Sequence, residues 1–153
     1  VQSGSWQKHD GEPGFSFELP AAWTVNMEQD GRYTRTYARS HLPNLFLMAE
    51  KGERSQVATR STVDWQGMES DLRQRYGSRY RKIRMGSGMI GGQSASLWEF
   101  TLQPKAGPKL RKLYLGVVHP WQSYVVVCVA PDSEYSQWKP VFSRMRGSFR
   151  FRG

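Results

Sequence analysis

Two short apolar runs in the C-terminal half dominate the hydrophobic pattern of the chain. They span residues 113–118 and 124–130, are rich in Val, Leu and Tyr, and flank His119-Pro120-Trp121-Gln122. Their length and composition are typical of strands, and Pro120 favours a turn between them. Because neither run alternates apolar with polar residues, we predict a central antiparallel hairpin that is covered on both faces.

Alternating apolar and polar positions predict further strands on both sides of this hairpin. They lie at residues 6–9, 15–19, 23–27, 33–38, 45–49, 80–85, 95–102 and 149–151. In the strand at 80–85 we predict Ile83 and Met85 on one face, with Lys82 and Arg84 on the other. Asp30-Gly31 is typical of a hairpin turn.

The first of two predicted helices begins with Ser61 as its N-cap and ends at Gly77. Its predicted apolar face carries Trp65, Met68, Leu72 and Tyr76, and its opposite face Glu69, Asp71 and Arg73.

The second predicted helix is capped by Asp132 or Ser133 and ends at Gly147. Its apolar stripe consists of Tyr135, Trp138, Phe142 and Met145. Pro140 lies inside this pattern, so we expect a kink there or a new helix start with Pro140 in its first turn.

This order of elements predicts an α+β fold, with a mainly antiparallel β-sheet sandwiched between helices. The chain has 153 residues and neither a repeat nor a linker, so we predict one domain over residues 1–153. Residues 1–5 are expected to be disordered or the remnant of a cut. No apolar run reaches the length of a transmembrane helix, and no signal peptide is visible.

Charge is distributed very unevenly along the chain, which carries a net +9. Residues 1–72 hold 7 Lys and Arg against 10 Asp and Glu, whereas residues 73–153 hold 15 against 3. Such asymmetry favours a polyanionic or acidic partner, and a solvated basic face that keeps the protein soluble is the alternative. The candidate partner-binding residues are Arg73, Arg75, Arg79, Arg81, Lys82, Arg84, Lys109, Arg111, His119 and Trp121.

The sequence favours no catalytic or metal chemistry. His9, His41 and His119 lie far apart and lack the spacing of metal ligands. The glycines of residues 86–91 match G-x-G-x-x-G, but a strand follows where a phosphate-binding loop needs a helix, so we predict a hairpin. Cys128, the one cysteine, is interpreted as a small buried hydrophobe, and no disulfide is inferred. We therefore predict no enzymatic activity, cofactor or metal.

The segment GFSFELPAAW (residues 14–23) resembles the opening of PsbP-like domains. Three further features resemble that family. They are the helix that follows the N-terminal strands, the hairpin at Ile90-Gly-Gly-Gln-Ser-Ala, and the terminal helix that runs into Gly147-Ser-Phe. This family includes the extrinsic P subunit of photosystem II and many bacterial secreted or lipid-anchored proteins. The resemblance implies an α/β/α sandwich and a binding role without a common catalytic residue.

These observations lead to three functional hypotheses. The first is a binding module outside the cytoplasm, secreted, periplasmic or lipid-anchored, that docks an acidic protein partner; a cytoplasmic location is the alternative. The second is a basic module that binds nucleic acid or an anionic lipid surface. The third is a chaperone or carrier that holds apolar segments on a sheet face.

Overall fold

The computed structural model describes residues 4–11, 14–52, 65–118 and 123–151. Five residues named in the sequence analysis lie outside these ranges: Ser61, His119, Pro120, Trp121 and Gln122. The described part contains ten strands and two α-helices. In chain order the strands are β1 (Trp6–Gly11), β2 (Phe15–Pro20), β3 (Thr24–Asp30), β4 (Tyr33–Arg39), β5 (Phe46–Gly52), β6 (Tyr80–Ile90), β7 (Gln93–Leu102), β8 (Leu110–Val118), β9 (Ser123–Pro131) and β10 (Arg150–Phe151).

Seven of these strands form one antiparallel sheet in the order β3-β4-β5-β9-β8-β7-β6. The predicted central hairpin is confirmed, because β8 pairs with β9 and each also pairs with a further strand. Val126 and Val127 are both at most 4% exposed although they point to opposite faces, which explains the absence of alternation in the sequence. The other sheet is three-stranded, in the order β1-β2-β10.

Helix α2 (Tyr135–Gly147) packs on one face of the large sheet, together with the small sheet. Its predicted apolar stripe is buried, with Val141 in addition. Phe17 of β2 stacks on Phe149 at a centroid distance of 4.8 Å, which joins the small sheet to the end of α2. Each such buried side chain contributes about 1.5–3 kcal/mol relative to its exposed state.

The start of α2 differs from the predicted one. A short 3₁₀ turn, Asp132–Glu134, precedes the helix, and neither Asp132 nor Ser133 acts as its cap. Glu134 occupies the N-cap position without a side-chain cap hydrogen bond. Pro140 lies inside the helix on its exposed side, so no second helix starts there.

Helix α1 (Gln66–Tyr76) covers part of the opposite face of the large sheet, over β6, β7 and β8. Trp65, just before the helix, is buried and contacts Trp98 and Tyr114. The prediction for Met68 is wrong, because this side chain is 46% exposed. Glu69 takes its place on the inner face and accepts a hydrogen bond of 2.6 Å from the Tyr80 hydroxyl. Gly77 ends the helix as predicted, at φ 54°.

The facing of residues 82–85 also differs from the prediction, because β6 contains a bulge. Lys82 pairs with Phe100 and Arg84 with Glu99, so that Ile83 is an extra residue without a partner on β7. Lys82 and Met85 therefore face α1, while Arg84 faces α2. With a large antiparallel sheet between helices in one domain, the predicted α+β fold class is confirmed.

Candidate anion-binding cleft

Polar residues lie side by side on three neighbouring strands where the α2 face of the large sheet meets the start of α2. Thr101 of β7 pairs with Arg81 of β6 on one side and with Arg111 of β8 on the other. Two residues from Thr101 along β7, and on the same face, Glu99 pairs with Arg84 of β6. Arg81 and Arg84 are three residues apart, and only the bulge at Ile83 brings them to the same face of the strand.

Glu99 is the charged centre of this arrangement, and it is 3% exposed. Its Oε1 accepts a hydrogen bond of 2.8 Å from Arg84 Nε, and its Oε2 accepts one of 2.8 Å from Arg111 Nε. Burial by itself would raise the pKa of Glu99, but the hydrogen bonds and charges of the two arginines outweigh it and hold the pKa below its usual value. The carboxylate is therefore ionised at neutral pH and fixes both guanidinium groups.

The beginning of α2 forms the second wall of the site. Arg111 stacks over the ring of Tyr135, with its guanidinium carbon 4.5 Å from the ring centroid. The backbone N–H of Asp132 donates a hydrogen bond of 2.8 Å to the carbonyl of Lys109, which anchors the 3₁₀ turn beside β8. The Lys109 ammonium lies 4.0 Å from Asp132 Oδ2, at the limit of an ion pair.

Between these walls is an open cleft of about 370 Å³, lined among others by Arg81, Thr101, Lys109, Arg111 and Asp132. We refer to it as the basic cleft. Thr101 is 5% exposed, and its Oγ1 has no hydrogen-bond partner among the described residues. A buried hydroxyl without a partner is costly, so such groups call for an explanation in the site around them. A second, smaller depression is lined by Arg84, Glu99, Tyr135, Lys139 and Arg146 among others.

The structure brings together only some of the candidate residues from the sequence. Arg81, Lys82 and Ile83, with Lys109 and Arg111, line the basic cleft, and Arg84 lies beside it. The Lys82 ammonium, however, is 3.8 Å from Glu69 under α1.

The remaining described candidates lie elsewhere. Arg73 and Arg75 lie on α1 and form i,i+4 ion pairs with Glu69 and Asp71. The Arg79 guanidinium lies 5.2 Å from the Tyr76 ring, and its Nη1 donates to the carbonyl of Gln103. His119 and Trp121 lie outside the described residues.

Glu99 and Thr101 contribute to this region and were missed by sequence reasoning. Lys139 and Arg146 were counted in the basic half of the chain but were not among the candidate binding residues. Glu99 had a detectable signal, because it stands between Trp98 and Phe100 and is the one charged residue of its strand. A lone carboxylate at such a position must be paired if it is to be buried. Thr101, Lys139 and Arg146 carry no comparable signal, because their role depends on strand register and on the docking of α2.

The described residues contain no group of three or more His, Cys, Asp or Glu side chains that could hold a metal ion. Cys128 is fully buried in the core against α2 and has no disulfide partner. Burial raises the pKa of its thiol to about 12, so it is protonated at neutral pH. In the part of the chain that the structure describes, neither helix has the length and apolar character needed to cross a membrane.

Comparison with solved structures places the fold among PsbP-like proteins, as the sequence resemblance implied. Cyanobacterial PsbP from Synechocystis sp. PCC 6803 is similar over 99% of this chain and 95% of its own, with a TM-score of 0.70 and 15% identity. A putative regulator of unknown function from Pseudomonas aeruginosa is similar over 98% and 99%, with a TM-score of 0.58 and 12% identity. LpqN of Mycobacterium tuberculosis, described as involved in cell envelope biogenesis, is similar over 97% and 92%, with a TM-score of 0.51 and 12% identity.

A family model described as the serine/threonine kinase C-terminal domain matches residues 7–151. The match covers nearly the whole sequence, so the chain belongs to this family of kinase C-terminal domains. The association with kinases was not anticipated from the sequence, whereas the PsbP-like architecture was. No match was found among curated proteins.

Proposed function

We propose that this chain is the non-catalytic binding domain of a serine/threonine kinase, and that it docks an acidic protein partner through the basic cleft. The observation that carries the proposal is the clustering of cations that are distant in sequence. Arg81, Lys109 and Arg111 line one cleft, and Arg84, Lys139 and Arg146 line a second, smaller depression. The carboxylates among the residues that line the two depressions are Asp132 and Glu99, so positive charge remains in excess.

Electrostatic complementarity supports an acidic partner in particular. Clefts lined by one sign of charge attract oppositely charged ligands and accelerate their association, an effect that salt screens. The side chain of Arg81 has no hydrogen bond or ion pair among the described residues, and that of Lys139 has none either. Both cations are therefore available to a partner without the breaking of an internal contact.

Membership of the kinase C-terminal family gives this binding a context. A non-catalytic domain of a kinase that has a cleft for a ligand can bind a regulator or a substrate of that kinase. We further propose that it works outside the cytoplasm. Support comes from LpqN, which has the same fold and is described as involved in cell envelope biogenesis. Fractionation of cells that express the full gene tests the location, and recovery of the domain only in the cytosol would contradict it.

Binding is tested with a fluorescein-labelled peptide of ten mixed Asp and Glu residues, measured by fluorescence anisotropy at 50 and 150 mM NaCl. The variant Arg81→Glu with Lys109→Glu changes two cations of the basic cleft. We expect at least tenfold weaker binding, and an affinity of the parent domain that falls as salt is raised.

The matched control is Lys8→Glu with Arg32→Glu. It makes the same change in net charge at two exposed positions, and Arg32 lies at the hairpin of β3 and β4, at the opposite edge of the large sheet. Equal losses in both variants would show that only net charge matters and would overturn the proposal. Tighter binding to oligo-dT or to phosphatidylserine vesicles than to the acidic peptide would favour the nucleic-acid or lipid alternatives instead.

A further inference from the structure

The basic cleft has features that are not needed to bind an acidic partner through charge alone. Its centre is the row Arg81, Thr101 and Arg111, three residues directly opposite one another on adjacent strands. Side chains in such a row are near neighbours on one sheet face. The middle residue offers a hydroxyl that is buried and without a partner among the described residues. An unpaired donor between two guanidinium groups suits an oxyanion, which accepts hydrogen bonds from all three.

The local charge indicates how negative that oxyanion should be. Arg81, Lys109, Arg111 and Asp132 line the cleft, and Arg84 and Glu99 lie beside it, which leaves a net charge of +2. Lys82 also lines the cleft, but its ammonium lies 3.8 Å from Glu69 and is not counted. A phosphate monoester carries about −1.5 to −2 at pH 7, whereas a carboxylate or a nucleic-acid phosphodiester carries only −1. The surplus charge therefore matches a phosphate monoester best.

The donors that remain unused also fit a phosphate. Arg111 holds Glu99 through Nε and Nη2, which leaves Nη1 free of any hydrogen bond within the described residues. Arg81 brings its whole guanidinium group, and Thr101 brings the hydroxyl. Arginine groups combined with a hydroxyl are a recurrent means of recognising phosphorylated residues, because planar guanidinium donors match phosphate oxygens in pairs.

We propose that the basic cleft binds the phosphate group of a phosphorylated serine or threonine in a protein partner. This inference rests on the proposed function and specifies the group that the cleft recognises. Serine and threonine are chosen because the family is that of serine/threonine kinases. The partner is then one that already carries the phosphate when it reaches the compartment in which the domain works. Glu99 holds Arg111 in place in this site and does not itself contact the phosphate.

The probe is a labelled nonapeptide mixture with a central phosphoserine and degenerate flanks, compared with the same mixture carrying serine or glutamate at the centre. We expect the phosphoserine mixture to bind at least tenfold more tightly than either. Because the second pKa of a phosphate is about 6, affinity for the phosphoserine mixture should fall several-fold between pH 7.5 and 5.5. Affinity for the glutamate mixture should change little over that range.

Thr101→Val removes the hydroxyl and keeps the shape of the side chain. We expect about tenfold weaker binding of the phosphoserine mixture, because a hydrogen bond to a charged group is lost. Unfolding in urea should be unchanged or shifted to higher urea, because the hydroxyl has no partner to lose. Thr36→Val is the matched control, since Thr36 is also fully buried with an unpartnered Oγ1 but lies on β4. Its binding should equal that of the parent.

The outcomes separate this inference from the proposed function. If the phosphoserine and glutamate mixtures bind equally and more tightly than the serine mixture, and Arg81→Glu with Lys109→Glu weakens both, the acidic-partner function stands and the phosphate site is refuted. If no mixture binds and the acidic peptide also fails, both proposals fail. Tighter binding to phosphatidic acid vesicles than to the phosphoserine mixture would assign the phosphate to a lipid and refute the inference, as would an unaltered affinity in Thr101→Val.

Discussion

Arg111 holds one carboxylate oxygen of Glu99, Oε2, with two nitrogens of its guanidinium group, Nε at 2.8 Å and Nη2 at 2.7 Å. The carboxylate side chain is 4% exposed and that of Arg111 30% exposed. Arg84 holds the other oxygen from a more exposed position. The pair therefore fixes β8 to β7 from the inside and places a charged guanidinium group at the wall of the basic cleft.

Glu99→Gln should destabilise the domain by about 1–3 kcal/mol at pH 7, since two arginines lose their buried counter-charge. The low end of this range is expected, because Arg84 is largely solvated. The pKa of Glu99 is lowered in the folded state, so its contribution to stability is present above the unfolded pKa of about 4.3 and is lost as pH falls below that value. Urea unfolding at pH 7, 5 and 3 should show the difference between the two proteins shrink at pH 3.

The control for this prediction is Glu28→Gln, at an exposed position of β3. It should unfold at the same urea concentration as the parent at every pH. A difference between Glu99→Gln and the parent that is constant from pH 7 to pH 3 would contradict the ionised, paired state of Glu99.

The strands and the second helix could be predicted from the sequence because their signals are local. Periodicity of two or 3.6 residues identifies which side of an element is apolar, and the hairpin of β8 and β9 showed its central position by lacking alternation. The apolar stripe of α2 could be identified without knowing which residues it packs against. The same reasoning could not show that the small sheet shares the α2 face, because that depends on contacts between distant segments such as Phe17 and Phe149.

The candidate site was predicted only in part, and the bulge at Ile83 explains much of the error. One extra residue reverses the facing of every side chain beyond it, and nothing in residues 80–85 identifies which residue is extra. The sequence analysis assigned Glu69 to the solvent side of α1 because its side chain is charged. Its hydrogen bond with Tyr80, eleven residues away, could not be inferred from helical spacing alone.

Gly91→Ala should destabilise the protein severely, and Gly92→Ala only moderately. Both glycines have positive φ, 54° and 82°, which costs another residue about 1–2 kcal/mol. A Cβ at Gly91 would in addition overlap the carbonyl oxygen of Phe149, while a Cβ at Gly92 would meet nothing within 4 Å. We expect a loss of about 3 kcal/mol or more for Gly91→Ala in urea unfolding. Equal losses in the two variants would contradict the close approach of this turn to Phe149.

Tyr80→Phe should cost about 1–3 kcal/mol, because the Tyr80 hydroxyl accepts a hydrogen bond of 3.0 Å from Trp98 Nε1 as well as donating to Glu69. Trp98 is fully buried, so its N–H would be left without a partner. Burial, with the hydrogen bond to Glu69, raises the pKa of Tyr80 to about 12. Its contribution to stability is thus complete below about pH 10 and is lost as pH rises towards 12.

Unfolding experiments at pH 8, 10 and 11.5 check this prediction, and the difference between the parent and Tyr80→Phe should shrink at the highest pH. Tyr33→Phe is the control, because Tyr33 is 41% exposed, and it should leave the unfolding free energy nearly unchanged. A cost of Tyr80→Phe no larger than that of the control would mean that the hydroxyl contributes nothing to the packing under α1.

Cys128 should react with a thiol reagent such as DTNB only when the protein opens. Its side chain is fully buried between β5 and β8, and burial raises the pKa of the thiol to about 12, so that almost none of it is ionised at pH 8. We expect slow labelling at a rate that approaches the unfolding rate at high reagent concentration, and immediate labelling in guanidinium chloride. Cys128→Ala with Ser143→Cys, which moves the thiol to an exposed position on α2, should label within seconds. Rapid labelling of the folded parent protein would place Cys128 outside the core and would contradict the packing of α2 against β9.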